Sequence, residues 1–394
     1  MKYNFARRMN QLKASEIREL LKVTESKEVI SFGGGMPAPE LFPLEEIKRV
    51  SQIVLTEDGA DALQYTTTEG YRPLREWIAA RMNQQMGSRL TPDHIMLTNG
   101  SQQALDFSGK LFLDEGDVVL CESPTYLAAI SAFRSYSCRF GEVDTDNEGM
   151  IPEALEKMIE SEPRVKLIYT IPNFQNPTGR CWTMERRKQV KAIADRYNLV
   201  IIEDNPYGEL RFEGETIPCI KSLDTTGNVI YFGTFSKIFC PGYRIGWVAA
   251  DPQLINKYVL VKQGADLQCN TLAQREIARY LELYDIDEHI GKIKKTYLRR
   301  RDLAVRVMTE CFPRSVTFTR PEGGLFLWIT LPKGCNARSV LEDSLQQGVA
   351  FVPGGSFYPN GGNENTMRIN FSYMPEDKIE KGLRILAGIL SNHC

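Results

Sequence analysis

The chain has 394 residues, of which 48 are Lys or Arg and 50 are Asp or Glu, giving a formal net charge of −2 at pH 7. This length allows a large core in two packed domains, and the near-neutral charge argues against a broad nucleic-acid-binding surface. Nine scattered cysteines without a CxxC pair and three separated histidines argue against a disulfide framework, a metal site and a His-based mechanism. With no secretory segment and no apolar run near the ~18 residues of a membrane span, we expect a cytoplasmic protein without a membrane partner.

The first part of the chain is predicted to be a helical arm that ends near Thr24, followed by a glycine-rich loop over residues 31–37. Arg18 lies in a charged run of the arm, a pattern that fits a solvated helix face as well as a binding residue. Gly35 in the loop has no Cβ, so a ligand can approach its backbone closely.

Strands and helices alternate from about residue 45 to residue 284, which indicates an α/β sandwich. Short apolar strands are predicted at 95–98, 118–121, 167–171, 200–203, 229–232 and 245–249, with helices such as 183–197 between them. Polar residues follow most of these strands directly, which is where such sheets bind ligands.

The first two of these strand ends carry candidate binding residues. After strand 95–98, Gly100 allows a tight turn into a helix that begins near Ser101 and Gln102. The free N–H groups and the dipole of a helix start favour an anion such as a phosphate, although Ser101 also fits a simple helix cap. Tyr126 follows strand 118–121, and its ring can stack on a planar ligand or pack as an ordinary core aromatic.

The most informative pattern is residues 233–244, GTFSKIFCPGYR, in which Lys237 follows Ser236 and lies seven residues before Arg244. A lysine amine forms a Schiff base with the aldehyde of pyridoxal phosphate, and a serine and an arginine suit its phosphate. Taken alone, a Ser-Lys pair near a Pro-Gly turn also fits a solvated loop. The order and character of the preceding segments favour the cofactor site.

Two preceding segments supply the other groups that this cofactor needs. Asp204, at the end of strand 200–203, can hold the proton on the ring nitrogen by a charge-assisted hydrogen bond. Asn176 and Tyr207 are donors suited to the phenolic oxygen. The three residues also have plain alternatives, respectively a helix cap, a turn residue and a core aromatic, but their combination with Lys237 favours the cofactor site.

A long charged segment, residues 286–309, is predicted to be a helix that leads into a smaller α+β unit. Arg368 lies on a predicted strand of that unit, 366–370. A planar guanidinium meets a carboxylate with two parallel hydrogen bonds, so Arg368 is the candidate for binding a substrate carboxylate, with a surface ion pair as the alternative.

Taken together, these segments resemble the class I/II aminotransferases of pyridoxal phosphate fold type I over essentially the whole chain. The similarity begins with LKASEIR at 12–18 and SFGGGMP at 31–37 and continues to FVPG at 351–354 and MRIN at 367–370. Within the family, the chain is most similar to the branch with the α-aminoadipate aminotransferase of lysine biosynthesis and the kynurenine/aminoadipate aminotransferases.

The resemblance implies an α/β fold of two domains. The large domain has a mainly parallel, mixed seven-stranded sheet between helices, and the smaller domain is α+β. We place the amino-terminal arm and glycine-rich loop at 1–44, the large cofactor-binding domain at 45–285, and the connecting helix with the small domain at 286–394.

The resemblance also implies roles for the cofactor residues. Lys237 becomes the Schiff-base lysine and the general base that moves a proton between the substrate Cα and the cofactor. Asp204 becomes the partner of the ring nitrogen, Asn176 and Tyr207 become the phenolate donors, and Tyr126 becomes the stacking ring. The phosphate cup would be formed by Ser101, Gln102, Ser236 and Arg244.

For the substrate, the resemblance assigns the α-carboxylate to Arg368, with Asn176 and Gly35 beside it. Tyr65 would reach the phosphate and substrate region from the neighbouring subunit, so the active site would be shared across a homodimer. Arg18 corresponds to the arginine that the aminoadipate branch uses for a distal carboxylate.

The predicted function is therefore that of a homodimeric transaminase that moves an α-amino group between an amino acid and a 2-oxo acid by a ping-pong route. The implied pair is glutamate and 2-oxoglutarate, with 2-aminoadipate, an aromatic or a large aliphatic amino acid as the other substrate. A β-lyase on the same fold is an alternative, because the cofactor machinery does not choose the bond that breaks. A ligand-sensing regulator is a further alternative, against which stands the lack of a basic DNA-binding segment before Gly33.

Overall fold

Three β-sheets organise the part of the chain that the computed structural model describes, residues 3–11 and 29–393. Their strands are β1 (Ile30–Ser31), β2 (Ile95–Thr98), β3 (Val118–Ser123), β4 (Arg139–Asp146), β5 (Gly149–Met150), β6 (Val165–Thr170), β7 (Val200–Asp204), β8 (Val229–Thr234), β9 (Gly246–Ala249), β10 (Thr317–Phe318), β11 (Phe326–Thr330), β12 (Val349–Ala350), β13 (Val352–Pro353) and β14 (Thr366–Asn370).

Helices cover these sheets. The α-helices of the described residues are α1 (Leu44–Glu57), α2 (Gly59–Ala62), α3 (Arg72–Met86), α4 (Ser101–Phe112), α5 (Leu127–Arg134), α6 (Pro152–Ser161), α7 (Met184–Arg196), α8 (Pro252–Gln263), α9 (Thr271–Leu283), α10 (Ile286–Cys311), α11 (Ala337–Gln346) and α12 (Glu376–His393). Short 3-10 helices lie at Arg7–Gln11, Pro39–Leu41, Pro92–His94, Ile220–Leu223, Pro241–Tyr243 and Gly354–Phe357. Within the described part of the chain, no helix combines the length and the apolar character needed to cross a bilayer.

The largest sheet has, among the described residues, eight strands in the order β2-β9-β8-β7-β6-β3-β4-β5. Strands β8, β7, β6, β3 and β4 run parallel, β9 is antiparallel to both of its neighbours, and β5 pairs antiparallel with β4. The predicted α/β fold with a mainly parallel, mixed sheet is confirmed. The sheet has one strand more than the predicted seven, and β4 and β5 are the two strands without a predicted range. Strand β5 has only two residues and closes a hairpin with β4.

The strands expected from the sequence form because each is a short run of largely β-branched, aliphatic and aromatic residues that helices bury on both faces. β2 has the predicted bounds, and β8, VIYFGT, is buried at all six positions. β4, RFGEVDTD, has no counterpart in the prediction. It lies near the edge of the sheet and is charged and partly exposed, so no apolar run marks it.

The carboxyl ends of the parallel strands meet at one edge of the large sheet, together with the turn after β2. Gly246 of β9 lies between Thr98 of β2 and Thr234 of β8. A Cβ on Gly246 would lie 2.8 Å from the Gly233 carbonyl oxygen and 2.9 Å from the Ser101 nitrogen. Glycine at this position therefore lets the start of α4 lie against the end of β8.

A smaller antiparallel sheet, in the order β10-β11-β14-β13, lies beyond the 26-residue helix α10. The segment after residue 29 joins this carboxy-terminal part, because β1 pairs parallel with β12 and the Asn370 N–H donates to the Phe32 carbonyl oxygen at 2.9 Å. The glycine-rich loop is thereby held between the two parts of the molecule. The domain division at 1–44, 45–285 and 286–394 stays a prediction.

Candidate active site

A cavity of about 380 Å³ opens at the carboxyl edge of the large sheet, and the glycine-rich loop and β14 contribute to its wall. This volume falls in the range of small-molecule sites. Of the residues that the sequence singles out, the wall contains Gly35, Ser101, Gln102, Tyr126, Asn176, Asp204, Tyr207, Ser236, Lys237, Arg244 and Arg368. Tyr65 is not in this wall and is 78% exposed. Arg18 lies outside the described residues.

Lys237 lies in the loop that follows β8 and points its amine towards the glycine-rich loop. Its Nζ donates to the Gly35 carbonyl oxygen at 2.6 Å. Burial, with a smaller contribution from the charges of Arg368 and Arg244, lowers the pKa of Lys237 to about 8. A lysine with this pKa has a usable neutral fraction near pH 7, which a nucleophile or a general base requires.

Asp204 ends β7 and is 2% exposed. Its Oδ2 accepts a hydrogen bond from the Tyr169 hydroxyl at 2.9 Å, whereas its Oδ1 has no partner among the described residues. Burial raises the pKa of Asp204 to about 7, and the hydrogen bond from Tyr169 opposes this rise. A buried carboxyl oxygen without a donor at a cavity wall is suited to a ligand that brings its own proton, such as a cationic ring N–H.

Two hydrogen-bond donors lie close together on the same wall. Asn176 and Tyr207 are both buried, and the Asn176 Nδ2 lies 3.5 Å from the Tyr207 hydroxyl oxygen. The Tyr207 ring packs edge to face on Phe326, with the ring centroids 5.8 Å apart. Burial raises the pKa of Tyr207, and also that of Tyr126 to about 12, so both hydroxyls stay protonated at neutral pH.

The other end of the cavity is suited to an anion. Gly100, with φ +72°, turns the chain into α4, so that the start of the helix, at Ser101 and Gln102, lines the cavity. The guanidinium of Arg244 packs on this turn, because a Cβ on Gly100 would lie 2.5 Å from its Nη2. Ser236 lines the same cavity and accepts a hydrogen bond from the Thr234 hydroxyl at 2.9 Å. A helix start, a cation and a hydroxyl together match a phosphate group.

Arg368 is a second cation in the wall, and it is buried. Its Nη1 donates to the Asn176 Oδ1 at 2.8 Å and its Nη2 to the Gly33 carbonyl oxygen at 2.6 Å, while its Nε has no partner within residues 3–11 and 29–393. The guanidinium carbon lies 4.2 Å from the centroid of the Phe326 ring and 5.1 Å from that of Phe357. Burial lowers the pKa of Arg368 to about 10, and no acidic residue of the described chain pairs with it. Such a cation is suited to an anionic ligand.

Three residues of functional interest have no counterpart in the sequence prediction. Tyr169 and Phe326 lie in apolar strands, β6 and β11, where nothing in the sequence distinguishes a contact to Asp204 or Arg368 from ordinary core packing. Thr234 could have been found from the sequence, because it is a hydroxyl residue at the end of a strand and two residues before Ser236. Its hydroxyl donates to that of Ser236.

Pyridoxal phosphate fits this arrangement. The unpartnered Asp204 Oδ1 is an acceptor for the protonated ring nitrogen, and the start of α4 with Arg244 is suited to the phosphate. Lys237 lines the same cavity and carries the amine that would bind the aldehyde. The buried Arg368 is left for a carboxylate of the substrate.

Comparison with known proteins agrees with this geometry. A family model described as aminotransferase class I and II matches residues 27–386. The chain belongs to this family. The aromatic-amino-acid aminotransferase 1 of Thermococcus litoralis is 46% identical over 387 residues, which cover 97% of this chain and 93% of that protein. The 2-aminoadipate transaminase of Thermus thermophilus is 40% identical over 393 residues, covering 98% and 96%.

A solved structure shares the fold of this aminotransferase. The crystal structure of Pyrococcus horikoshii kynurenine aminotransferase, in complex with PMP, gives a TM-score of 0.95 at 42% identity and covers 98% of this chain and 97% of that chain. The predictions of the family, the fold, pyridoxal phosphate and transamination are confirmed. The aminotransferase therefore uses pyridoxal phosphate to move an amino group between an amino acid and a 2-oxo acid. The roles of the individual site residues stay predictions.

Proposed function

We propose that this aminotransferase takes amino groups from aromatic and large aliphatic amino acids and passes them to a 2-oxo acid, with 2-oxoglutarate and glutamate as the exchange pair. The observation that carries the proposal is the buried guanidinium of Arg368, which has no acidic partner among the described residues and suits the substrate α-carboxylate. The same wall includes the uncharged residues Gly34, Gly35, Met36 and Phe326. An apolar substrate side chain fits such a lining.

Each residue of the ring end has a distinct part in this proposal. Bound pyridoxal phosphate supplies an electron sink that makes the substrate Cα–H acidic. Lys237, with a pKa of about 8, anchors the cofactor and then takes the proton from Cα. Asp204 holds the proton on the ring nitrogen, Asn176 and Tyr207 donate to the phenolic oxygen, and Tyr126 covers one face of the ring. The phosphate is bound by Ser101, Gln102, Ser236 and Arg244.

A half-reaction screen tests the substrate proposal. The holoenzyme is mixed with single amino acids, and the loss of the visible absorbance of the bound cofactor is followed in a stopped-flow instrument. We expect phenylalanine, tyrosine and leucine to bleach the absorbance with second-order rate constants at least about tenfold above that of aspartate. Faster bleaching by aspartate than by any of the three would contradict the proposal.

2-Aminoadipate is a second candidate donor, favoured by the similarity to a 2-aminoadipate transaminase at 40% identity. A distal carboxylate needs a further cation, and Arg18, which lies outside the described residues, is the candidate. Arg18→Ala should reduce kcat/KM for 2-aminoadipate and glutamate by about tenfold and leave that for phenylalanine within about twofold. Equal losses for both classes would contradict the role of Arg18.

We also propose that the chain forms a homodimer with a shared active site. The phosphate end is open in a single chain, where Gln102 and Arg244 are exposed. Beside it, Leu63 is 73% exposed, Tyr65 78% and Leu267 44%, which is unusual for large apolar side chains in one neighbourhood. A second copy seated there would cover these side chains and close the phosphate end.

Hydrogen bonds connect this exposed patch to the phosphate end. The Thr66 N–H donates to Gln268 Oε1 at 2.5 Å, which joins the segment of Leu63 and Tyr65 to that of Leu267. The neighbouring Asp266 accepts from Asn99, the residue before Gly100, at 2.5 Å between Nδ2 and Oδ2. A second copy seated on this patch would bring its own Tyr65 to the phosphate end of the first copy, where the hydroxyl would donate to the phosphate.

Mixing two inactive variants tests the shared site. Tyr65→Ala and Lys237→Ala are unfolded together and refolded as a mixture. Half of the dimers are then mixed and each has one intact site, so about a quarter of the parental activity should return. Recovery of no activity beyond that of the two separate variants, in a sample that is dimeric by light scattering, would contradict a site completed by Tyr65.

We further propose that the protein works in the cytoplasm. All eight cysteines among the described residues are free, as expected for a reducing compartment. Alkylation of these thiols in unfolded protein from intact cells, without prior reduction, should modify them fully.

A further inference from the structure

Tyr169 and Asp204 form a buried pair behind the ring-nitrogen end of the cavity. Tyr169 lies on β6 and Asp204 ends the adjacent parallel strand β7. The Tyr169 hydroxyl donates to Asp204 Oδ2 at 2.9 Å, and the two residues are 1% and 2% exposed. Tyr169 does not line the cavity, so it contacts Asp204 from the protein side.

Within the described part of the chain, Asp204 depends on this one hydrogen bond. Its Oδ1 has no partner among these residues, and none of their lysines, arginines or histidines pairs with the carboxyl group. Burial raises the pKa of Asp204 to about 7, and the bond from Tyr169 opposes the rise. Burial and, to a smaller extent, the charge of Asp204 raise the pKa of Tyr126, Tyr169 and Tyr207. These three side chains are therefore neutral hydroxyls at neutral pH.

The ring of Tyr169 is held independently of its hydroxyl. It packs edge to face on Phe133, with the ring centroids 5.7 Å apart and the planes at 74°. Phenylalanine at position 169 would therefore keep this packing and remove only the oxygen. Both carboxyl oxygens of Asp204 would then lack a protein donor, which favours the neutral acid and frees the group to rotate.

We propose that Tyr169 is a positioning residue of the transamination reaction, which keeps Asp204 ionised and presents its Oδ1 to the protonated ring nitrogen of the cofactor. The inference rests on the role proposed above for Asp204. A neutral or rotated Asp204 no longer holds the proton on the ring nitrogen, so the electron sink weakens. Arg368 still binds the substrate carboxylate, so kcat should fall while KM stays the same.

A matched pair of variants tests the inference. Tyr169→Phe removes the donor to Asp204, and Tyr258→Phe removes an equally buried hydroxyl that lies 2.5 Å from the Ser108 hydroxyl instead. Both holoenzymes carry pyridoxal phosphate labelled with ¹⁵N at the ring nitrogen, and the nitrogen resonance is recorded beside the kinetics.

For Tyr169→Phe, we expect the resonance to move towards the unprotonated position, kcat to fall about tenfold and KM to stay within about twofold. Tyr258→Phe should keep the parental resonance and a kcat within about twofold of the parent. Replacement of Tyr169 by 3-fluorotyrosine keeps the hydroxyl and should keep the protonated resonance. If Tyr169→Phe does not fold, the fluorotyrosine protein still tests the inference, because a shifted resonance in a protein that keeps the hydroxyl would contradict it.

A parental resonance in Tyr169→Phe would overturn the inference, and so would an equal shift in Tyr258→Phe or in the fluorotyrosine protein. Asp204→Ala separates the two levels of the proposal. If Asp204→Ala keeps the parental resonance and kcat, the role of Asp204 itself is wrong. If Asp204→Ala loses both while Tyr169→Phe loses neither, only the role of Tyr169 is wrong.

Discussion

The two ends of the active-site cavity differ in their exposure to solvent in a single chain. At the ring end, Asp204 is 2% exposed, Arg368 1% and Tyr207 5%. At the phosphate end, Gln102 and Arg244 are exposed. Groups at the ring end therefore act in a dry environment that shifts their pKa values, whereas a single chain leaves the phosphate end in water.

The difference indicates that two separate sets of residues are involved. The buried residues of the ring end carry out the chemistry, and the exposed residues of the phosphate end retain the cofactor. A buried charge without a partner destabilises the empty protein, and the cofactor or substrate removes that penalty when it binds. The ring end thereby favours ligands that bring the missing charge. The exposed charge of Arg244 is screened by solvent, so it contributes only part of the phosphate binding. The helix start and a second copy of the chain would contribute the rest.

The largest effect should come from Lys237, which lines the cavity together with residues of both ends. Lys237→Ala removes both the covalent anchor and the base at Cα, so kcat should fall by at least about 10³-fold. The circular dichroism spectrum should stay that of the parent, and Lys257→Ala, at an exposed position, should keep the parental kcat. Parental turnover by Lys237→Ala would show that another residue is the base.

The next effect concerns the substrate and should leave the cofactor untouched. Arg368→Gln removes the buried cation beside Asn176, so KM for the amino acid should rise by about 100-fold. Arg368→Lys keeps the charge without the planar fork and should give an intermediate KM. Steady-state kinetics on protein saturated with cofactor measure both. An unchanged KM together with weaker cofactor binding would show that Arg368 binds the cofactor and not the substrate.

A smaller effect is expected at the exposed end. Arg244→Gln should raise the dissociation constant of the cofactor about tenfold at low salt and less at high salt, because an exposed charge is screened. Arg244 also lowers the pKa of Lys237, so its removal should raise that pKa above about 8. Since the neutral amine reacts, the pH at half-maximal rate of cofactor attachment should move upwards. A downward shift would contradict the assignment.

The smallest expected effect is on stability. The pKa of Asp204 is about 7 in the folded protein against an ordinary value of 3.8, so the cofactor-free protein loses stability as the pH rises between these values. Asparagine does not ionise, and after allowance for a buried amide, Asp204→Asn should stabilise the cofactor-free protein by about 1 kcal/mol at pH 8 while lowering kcat. Urea unfolding at pH 4 and pH 8 measures this, and a variant less stable at pH 8 would contradict it.

Much of the ring and phosphate ends could be predicted from the sequence, because each residue follows a short apolar strand and carries a distinctive functional group. Asp204, Lys237 and Arg244 are examples: an acid at the end of a strand, a lysine and an arginine in this order have few other uses together. Strand β2 has the predicted bounds, because a short apolar run marks it in the sequence. Helix α7 is one residue shorter at each end than the predicted 183–197, since Thr183 and Tyr197 are its caps.

Other features depend on contacts between distant segments and have no local signal. In the sequence, Tyr169 cannot be distinguished from a core tyrosine. Its contact with Asp204 exists only because β6 and β7 pair side by side in the sheet. Phe326 reads as a strand residue until β11 brings it under Arg368. Strand β4, next to the edge of the sheet, is too charged to stand out as an apolar run. The exposure of Tyr65 depends on the shape of the whole surface.

The central claim is that Lys237 anchors pyridoxal phosphate opposite Asp204. Reduction of the holoenzyme with borohydride, followed by proteolysis and mass spectrometry, tests it most directly. We expect one phosphopyridoxyl group per chain, on the peptide that contains Lys237, and none after reduction of Lys237→Ala. A stoichiometric label on any other lysine would contradict the account.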